Sequence, residues 1–236
     1  YLQQYENQVA AIIIEPLVQG ASGMRMCRPE FLQKLEKLMR THQVLIIYDE
    51  VMTGFGRTGD YFACQKSQTS PDIICMAKGI TGGFLPLAAT ICSEEIYHAF
   101  LGKDFTKALA HGHSYTANPL GCAAALASLS LLKKSETIQQ LKMIERVNQA
   151  LLSQLDDYLL FEKPRYCGTI AAFNLKLATS YGSQMSLKIR EKFTENGLLI
   201  RPLGNVIYFL PPYCITEDEL RNAYDIVINE IQGVSV

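Results

Sequence analysis

The sequence predicts an α/β protein built on a largely parallel sheet, followed by a smaller α+β region. Three observations carry this expectation. Residues 9–14 (VAAIII), 44–48 (VLIIY) and 73–77 (IICMA) are short, continuous apolar runs, the pattern of strands covered on both faces. A helix-period segment opening at Pro29 separates the first two, so strand and helix alternate. From about residue 166 the texture changes to short strands interleaved with amphipathic helices.

In order, residues 1–7 form a polar lead-in, and the first strand ends on Glu15 and Pro16. Pro29 sits in a helical first turn, and Phe31, Leu35, Leu38 and His42 share one face at helical spacing. Residues 85–92 (LPLAATIC) read as a further strand, and 93–101 as a short helix capped by Ser93. Residues 102–115 are irregular and carry HGHSY. Asn118 followed by Pro119 starts a helix rich in small residues. Ile138, Leu141, Ile144, Val147, Leu151, Leu155 and Tyr158 form a helical stripe leading into a second domain, so the expected division is 1–135 and 136–236. Residues 168–177 (GTIAAFNLKL) read as a strand with a period-2 element, 184–196 as a helix ended by Gly197, and 198–201 and 206–210 as short strands. Thr216 to Glu219 is a capping box that opens the last helix.

Composition narrows the function classes. The 236 residues are 48% hydrophobic and 19% charged with net charge −1, which fits an ordered globular chain and argues against a nucleic-acid or anionic-membrane surface. No run of about 18 apolar residues suggests a membrane span. The seven cysteines form no CxxC pair and none sits with His at metal-ligand spacing, so free, mostly buried thiols in a reducing cytoplasm are expected. Neither GxGxxG nor GxxxxGK[ST] occurs, which disfavours a nucleotide-binding module.

Two charges stand out. Asp49 ends one apolar run and Lys78 follows another, each with glycines after it. Burying an unpaired charge is costly, so each points to a polar ligand or to simple strand capping. Ligands of doubly wound sheets sit at the carboxyl ends of strands. A desolvated lysine there can bond a carbonyl carbon, and a carboxylate there can pair with a cationic nitrogen. On local grounds capping by a surface lysine remains open for Lys78, and a metal-binding or strand-capping Asp-Glu pair for Asp49 with Glu50.

IIYDEVMTGFGRTG followed by PDIICMAKGITGG resembles the core signature of the class III, pyridoxal-phosphate-dependent aminotransferases, and EPLVQGASGM and HGHSYTANPLGCAAA fit the same family. The resemblance implies a fold-type I transferase: part of the large domain with its mostly parallel sheet, plus the α+β C-terminal small domain. It implies that Lys78 bonds the cofactor and shuttles protons, and that Asp49 pairs with the pyridine nitrogen. It also implies that Val51 packs on the ring, and that His113 and Ser114 reach the phosphate across a homodimer. Gly112, Arg201 and Tyr208 are implied substrate contacts, with Arg201 holding a carboxylate. Core or loop packing is the plain alternative for Val51, Ser114 and Tyr208. Arg57 is expected to brace its loop. His111 and His113 without a third ligand make a poor zinc site.

The stretch GLLIRPLGNVIYFLPPY resembles the branch of the family that serves biotin biosynthesis. That implies an 8-amino-7-oxononanoate acceptor and an amino donor, usually S-adenosylmethionine and sometimes lysine. Other class III ω-aminotransferases, an aminomutase and a non-catalytic remnant are the alternatives. The family's Gly-Ser phosphate loop and cofactor-stacking aromatic have no counterpart from Tyr1 onward. The chain is therefore expected to correspond to the C-terminal portion of such an enzyme, and alone to bind cofactor weakly.

Overall fold

The computed structural model describes residues 1–5, 7–155, 158–176 and 184–233. Glu6 of the polar lead-in, Leu177 at the end of one expected strand, and residues 234–236 lie outside them. In chain order the elements are β1 (Ala11–Ile14), β2 (Val18–Gln19), β3 (Arg25–Met26), α1 (Pro29–Thr41), β4 (Leu45–Asp49), α2 (Ala63–Ser67), β5 (Ile73–Met76), β6 (Ala89–Cys92), α3 (Glu94–Ala99), α4 (Pro119–Leu132), α5 (Ser135–Gln154), β7 (Phe161–Cys167), β8 (Ile170–Leu175), α6 (Gln184–Glu195), β9 (Val206–Phe209) and α7 (Glu217–Gln232). The chain forms two compact units. One holds Tyr1–Leu17, Cys27–Phe55 and Asp60–Lys133; the other holds Val18–Met26, Gly56–Gly59 and Lys134–Val236.

The first unit is built on a four-stranded sheet in the order β1-β4-β5-β6. β1, β4 and β5 run parallel, with Ile13 opposite Ile47 and Ile47 opposite Ile73. β6 is antiparallel to β5, so the sheet is mostly parallel with one reversed edge. β1 is the opposite edge, and Ile13 is 66% exposed, which corrects the expectation of a strand covered on both faces. In α1 the buried residues are Leu32 and Met39, while Phe31 and Leu38 are exposed. The buried face is thus rotated by about 100° from the expected stripe, one residue along the helix. Arg40 anchors α1 by donating to both oxygens of Asp72 at 2.7 Å, and Asp72 also accepts from the Ile46 amide. α3 and α4 carry the expected caps: Ser93 accepts from the Ile96 amide and Asn118 from the Gly121 amide.

Glu50 is completely buried. Its carboxylate accepts from the Ala63 and Cys64 amides and from the Thr53 hydroxyl, each at 2.9 Å. Those amides belong to the first turn of α2, which has no intrahelical acceptors of its own. Burial pushes the Glu50 pKa above the usual carboxylate value, against the pull of these donors. The sequence between the glycine loop and Pro71 is polar, and a five-residue helix is too short to show a period.

In the second unit β7, β8 and β9 form an antiparallel sheet. β8 carries Ile170, Ala171, Ala172 and Phe173 all buried, so it shows no period of two. Helices α5, α6 and α7 supply Ile144, Val147, Ile189, Phe193, Tyr224 and Val227 to the same core. The Tyr224 ring stacks on Phe209 with centroids 4.2 Å apart. β7 was not anticipated because FEKPRYC alternates poorly; the register shifts between Glu162 and Arg165, and Lys163 has φ +54°. Residues 198–201 form no strand; only an isolated bridge, Leu203 to Val206, precedes β9. The Thr216 capping box forms as expected, its hydroxyl accepting from the Glu219 amide.

Among the described residues none of the seven cysteines forms a disulfide; five are half-buried and two, Cys122 and Cys214, are exposed, which corrects the expectation of mostly buried thiols. Among the described residues no helix is long and apolar enough to cross a membrane.

Two consequences are measurable. Glu50→Gln turns one acceptor oxygen into an amide that faces a donor, and should lower stability by about 2 kcal/mol, read as a lower urea midpoint at unchanged slope. Tyr48 is buried, with its hydroxyl 3.0 Å from Thr69 Oγ1, and desolvation raises its pKa from 10.0 to about 12 despite that bond. The folded state therefore favours the neutral phenol. Its contribution is complete below pH 10 and is lost as pH rises toward 12. The stability gap between the protein and Tyr48→Phe should shrink across that window; a gap independent of pH would contradict this.

Candidate functional site

Parallel pairing sets the first unit's candidate site. Asp49, the last residue of β4, lies opposite Cys75 of β5, and the Glu50 amide donates to the Cys75 carbonyl at 2.9 Å. β5 ends at Met76 and Lys78 follows after Ala77. The acid and the lysine thus stand at the carboxyl ends of neighbouring parallel strands, where doubly wound sheets bind ligands. Asp49 is half-buried, and its Oδ1 accepts from the Val51 amide at 3.0 Å. That bond turns the chain sharply after β4 and fixes the carboxylate. Lys78 is exposed. Among the described residues neither Asp49 nor Lys78 has an ion-pair partner.

The backbone at Lys78 is unusual. Its φ is +45°, a left-handed value that costs a non-glycine residue about 1–2 kcal/mol. A 3-10 turn, Lys78–Thr81, starts there and closes on Gly82 at φ +62°. Gly82 and Gly83 donate back into it, Gly83 to the Lys78 carbonyl at 3.2 Å. Gly79 lies against Phe55: a Cβ at this position would sit 2.7 Å from Phe55 Cβ. From α4, the Ser128 hydroxyl donates to the Gly79 carbonyl at 3.1 Å. A Cβ at Gly83 would meet nothing within 4 Å.

Gly112, His113 and Ser114 lie on an exposed stretch of the same unit. The His113 amide donates to Thr116 Oγ1 and the Tyr115 amide to His113 Nδ1, so this stretch is a self-bonded turn leading into the Asn118 cap. Among the described residues no cluster of His, Cys, Asp and Glu fits a metal ion.

Arg201 and Tyr208 belong to the second unit. Tyr208 is half-buried in β9 opposite Ala172, and Arg201 is exposed ahead of the buried Pro202. Arg57 belongs to this unit too. Its guanidinium donates to the Pro211 carbonyl at 2.6 Å and stacks over the Tyr213 ring at 4.6 Å. Its carbonyl accepts from both the amide and the hydroxyl of Thr169. Arg57 therefore ties the start of β8 to the exit of β9 and braces its loop. Burial raises the Tyr213 pKa, with Arg57 opposing.

Asp49, Val51 and Lys78 are legible in the sequence, and Glu50 as the acid beside Asp49; Phe55 and Ser128, which hold the Gly79 backbone next to Lys78, are not. For Ser128 the available signal was a hydroxyl within an otherwise apolar helix; for Glu50 it was a charge directly after a buried strand.

Residues 1–231 match the family Aminotransferase class-III, and the chain belongs to it. It is 52% identical over 92% of its length to the adenosylmethionine-8-amino-7-oxononanoate aminotransferase of Synechococcus elongatus, covering 51% of that protein. It is 40% identical over 99% of its length to the same enzyme of Geobacter sulfurreducens, covering 53% of it. The crystal structure of the Methanocaldococcus jannaschii enzyme matches with a TM-score of 0.91 at 35% identity, over 100% of this chain and 56% of that one. A PLP-bound amine transaminase from an uncultivated Pseudomonas species matches with a TM-score of 0.88 at 31% identity, over 99% of this chain and 54% of that one. The chain spans about half the length of the curated relatives it matches.

The Gly79–Phe55 contact gives a direct check. Gly79→Ala should cost about 1–3 kcal/mol by overpacking. Combined with Phe55→Ala it should cost less than the two single changes summed. Strict additivity in urea unfolding would refute the contact.

Proposed function

We propose that the chain carries the lysine half of a pyridoxal-phosphate-dependent aminotransferase site. We propose that the whole protein transfers an amino group to 8-amino-7-oxononanoate, a step of biotin biosynthesis. The observation that carries this reading is the pair at the ends of β4 and β5. Asp49 ends β4 and Lys78 follows the end of the adjacent parallel strand β5, and among the described residues neither is neutralised by an ion pair.

These residues fit the cofactor. Asp49 is half-buried with Oδ1 engaged by the Val51 amide, and its carboxylate would accept from a protonated ring nitrogen. Lys78 is an exposed amine. Pyridoxal phosphate, when bound, supplies an aldehyde carbon and a ring that draws electrons from it. Lys78 would hold the cofactor through Nζ and, as a free amine, would take and return the proton at the substrate carbon. Asp49 holds the proton on the ring nitrogen. Val51 packs an apolar side chain on the ring. Ser114 and the His113 backbone reach the phosphate of a second subunit, so the working form is a homodimer. Gly112 and Tyr208 line the substrate, and Arg201 pairs bidentately with its carboxylate.

The names of the relatives support S-adenosylmethionine as the amino donor, and the place of work is proposed as the cytoplasm. The division of labour is proposed as 1–135 for the second half of the cofactor domain and 136–236 for the small domain.

Asp49→Asn should lower kcat by about 100-fold or more, because a neutral partner no longer holds the ring proton. An unchanged rate would remove Asp49 from the chemistry. Arg201→Ala should raise KM for the carboxylate-bearing acceptor while leaving cofactor affinity unchanged. Equal damage to both would take Arg201 out of the substrate site, and turnover of other keto acids in preference to 8-amino-7-oxononanoate would overturn the acceptor assignment.

A further inference from the structure

We infer that Ser128 is a positioning residue for Lys78: its hydroxyl, presented from α4, locks the peptide that follows the lysine and so sets where the lysine side chain emerges. The proposal deepens the aminotransferase reading and rests on it for the lysine's role.

Lys78 sits at φ +45°, a left-handed value that is strained for a side-chain-bearing residue. Something must over-determine the turn. Its own closing bonds, Ile80 to Ala77 and Gly82 to Gly79, are local and would form in many orientations of the turn as a body. Two contacts from distant sequence fix that orientation. Phe55 presses on the Gly79 backbone so closely that a Cβ there would lie 2.7 Å from Phe55 Cβ. Ser128 donates to the Gly79 carbonyl at 3.1 Å across 49 residues of sequence. Gly79 is thus held by a ring on one contact and a hydroxyl on another, and Lys78 is its immediate neighbour.

The helix that presents Ser128 suits the task. α4 is nearly all small and apolar, with Gly121 and Ala125 buried, so it approaches the turn closely. Within it Ser130 spends its hydroxyl on the Leu126 carbonyl one turn back, the usual sink for a helical serine. Ser128 instead bonds out of the helix to Gly79. A serine used only for helix packing would bond as Ser130 does.

The test uses Ser128→Ala and Ser128→Thr in the full-length protein, with two readouts. The first needs no cofactor: amide hydrogen exchange at Ile80, Gly82 and Gly83. Loss of one such bond should speed exchange there about fivefold in Ser128→Ala, and Ser128→Thr, which keeps the hydroxyl, should restore it. The second is visible circular dichroism of bound pyridoxal phosphate, normalised to its absorbance. The cofactor is not chiral, so this signal reports how rigidly its attachment point is oriented. It should fall at least twofold in Ser128→Ala and return in Ser128→Thr. Unchanged exchange overturns the proposal. Faster exchange with unchanged ellipticity also overturns it, since Ser128 would then be structural only. Loss of both signals without rescue by threonine, together with a lowered unfolding temperature, points to general loosening and overturns it as well. If the unsubstituted protein binds no pyridoxal phosphate, the aminotransferase reading fails separately, and exchange alone decides whether Ser128 anchors the turn.

Discussion

Parallel pairing between β4 and β5 places Ile47 opposite Ile73 and Asp49 opposite Cys75, so both strands deliver their carboxyl ends to the same edge. Everything at the candidate site follows from that register. A strand shifted by one residue would turn its side chains to the other face, and Asp49 would no longer project where Lys78 emerges. The register is held from below by the Asp72 carboxylate, which accepts from the Ile46 amide, and from above by the Glu50 amide on the Cys75 carbonyl. Glu50 then nucleates α2 with its buried carboxylate. Two adjacent acids thus do opposite work: Glu50 is consumed by structure, while Asp49 keeps a carboxylate with one backbone bond.

The strain at Lys78 belongs to the same arrangement. Left-handed backbone at a non-glycine residue persists only where its surroundings dictate it. Phe55 and Ser128 supply that dictation through Gly79. In the second unit Arg57 plays a comparable bracing part, joining Thr169 and Pro211 at paired ends of β8 and β9, where Ala171 faces Phe209. Its guanidinium is spent on a carbonyl and a tyrosine ring.

Local chemistry made some of this legible in the sequence. Capping residues are short-range, so Ser93, Asn118 and Thr216 were read correctly. Apolar runs gave the parallel strands, but not that β1 is an edge, because the pattern of a strand does not reveal what covers it. The α1 stripe was read one residue out of phase, since Phe31 and Leu38 are as apolar as the Leu32 and Met39 that the fold buries. β7 was hidden by Pro164 and a bulge, and residues 198–201 looked like a strand without a partner to pair with. Asp49 and Lys78 were visible as charges ending apolar runs, and the long ordered motif around them identified the family. What remained hidden is tertiary: a serine on a distant helix, a phenylalanine under a glycine, and an acid capping a five-residue helix announce themselves only once the chain has folded.

The most direct measurement of the central claim is the site of covalent capture. The protein would be incubated with pyridoxal phosphate, reduced with borohydride, digested, and the labelled peptide identified by mass. This account predicts label concentrated on Lys78 in preference to the other exposed lysines, and loss of that label in Lys78→Ala. Label spread evenly over the surface lysines, or absent from Lys78, would contradict it.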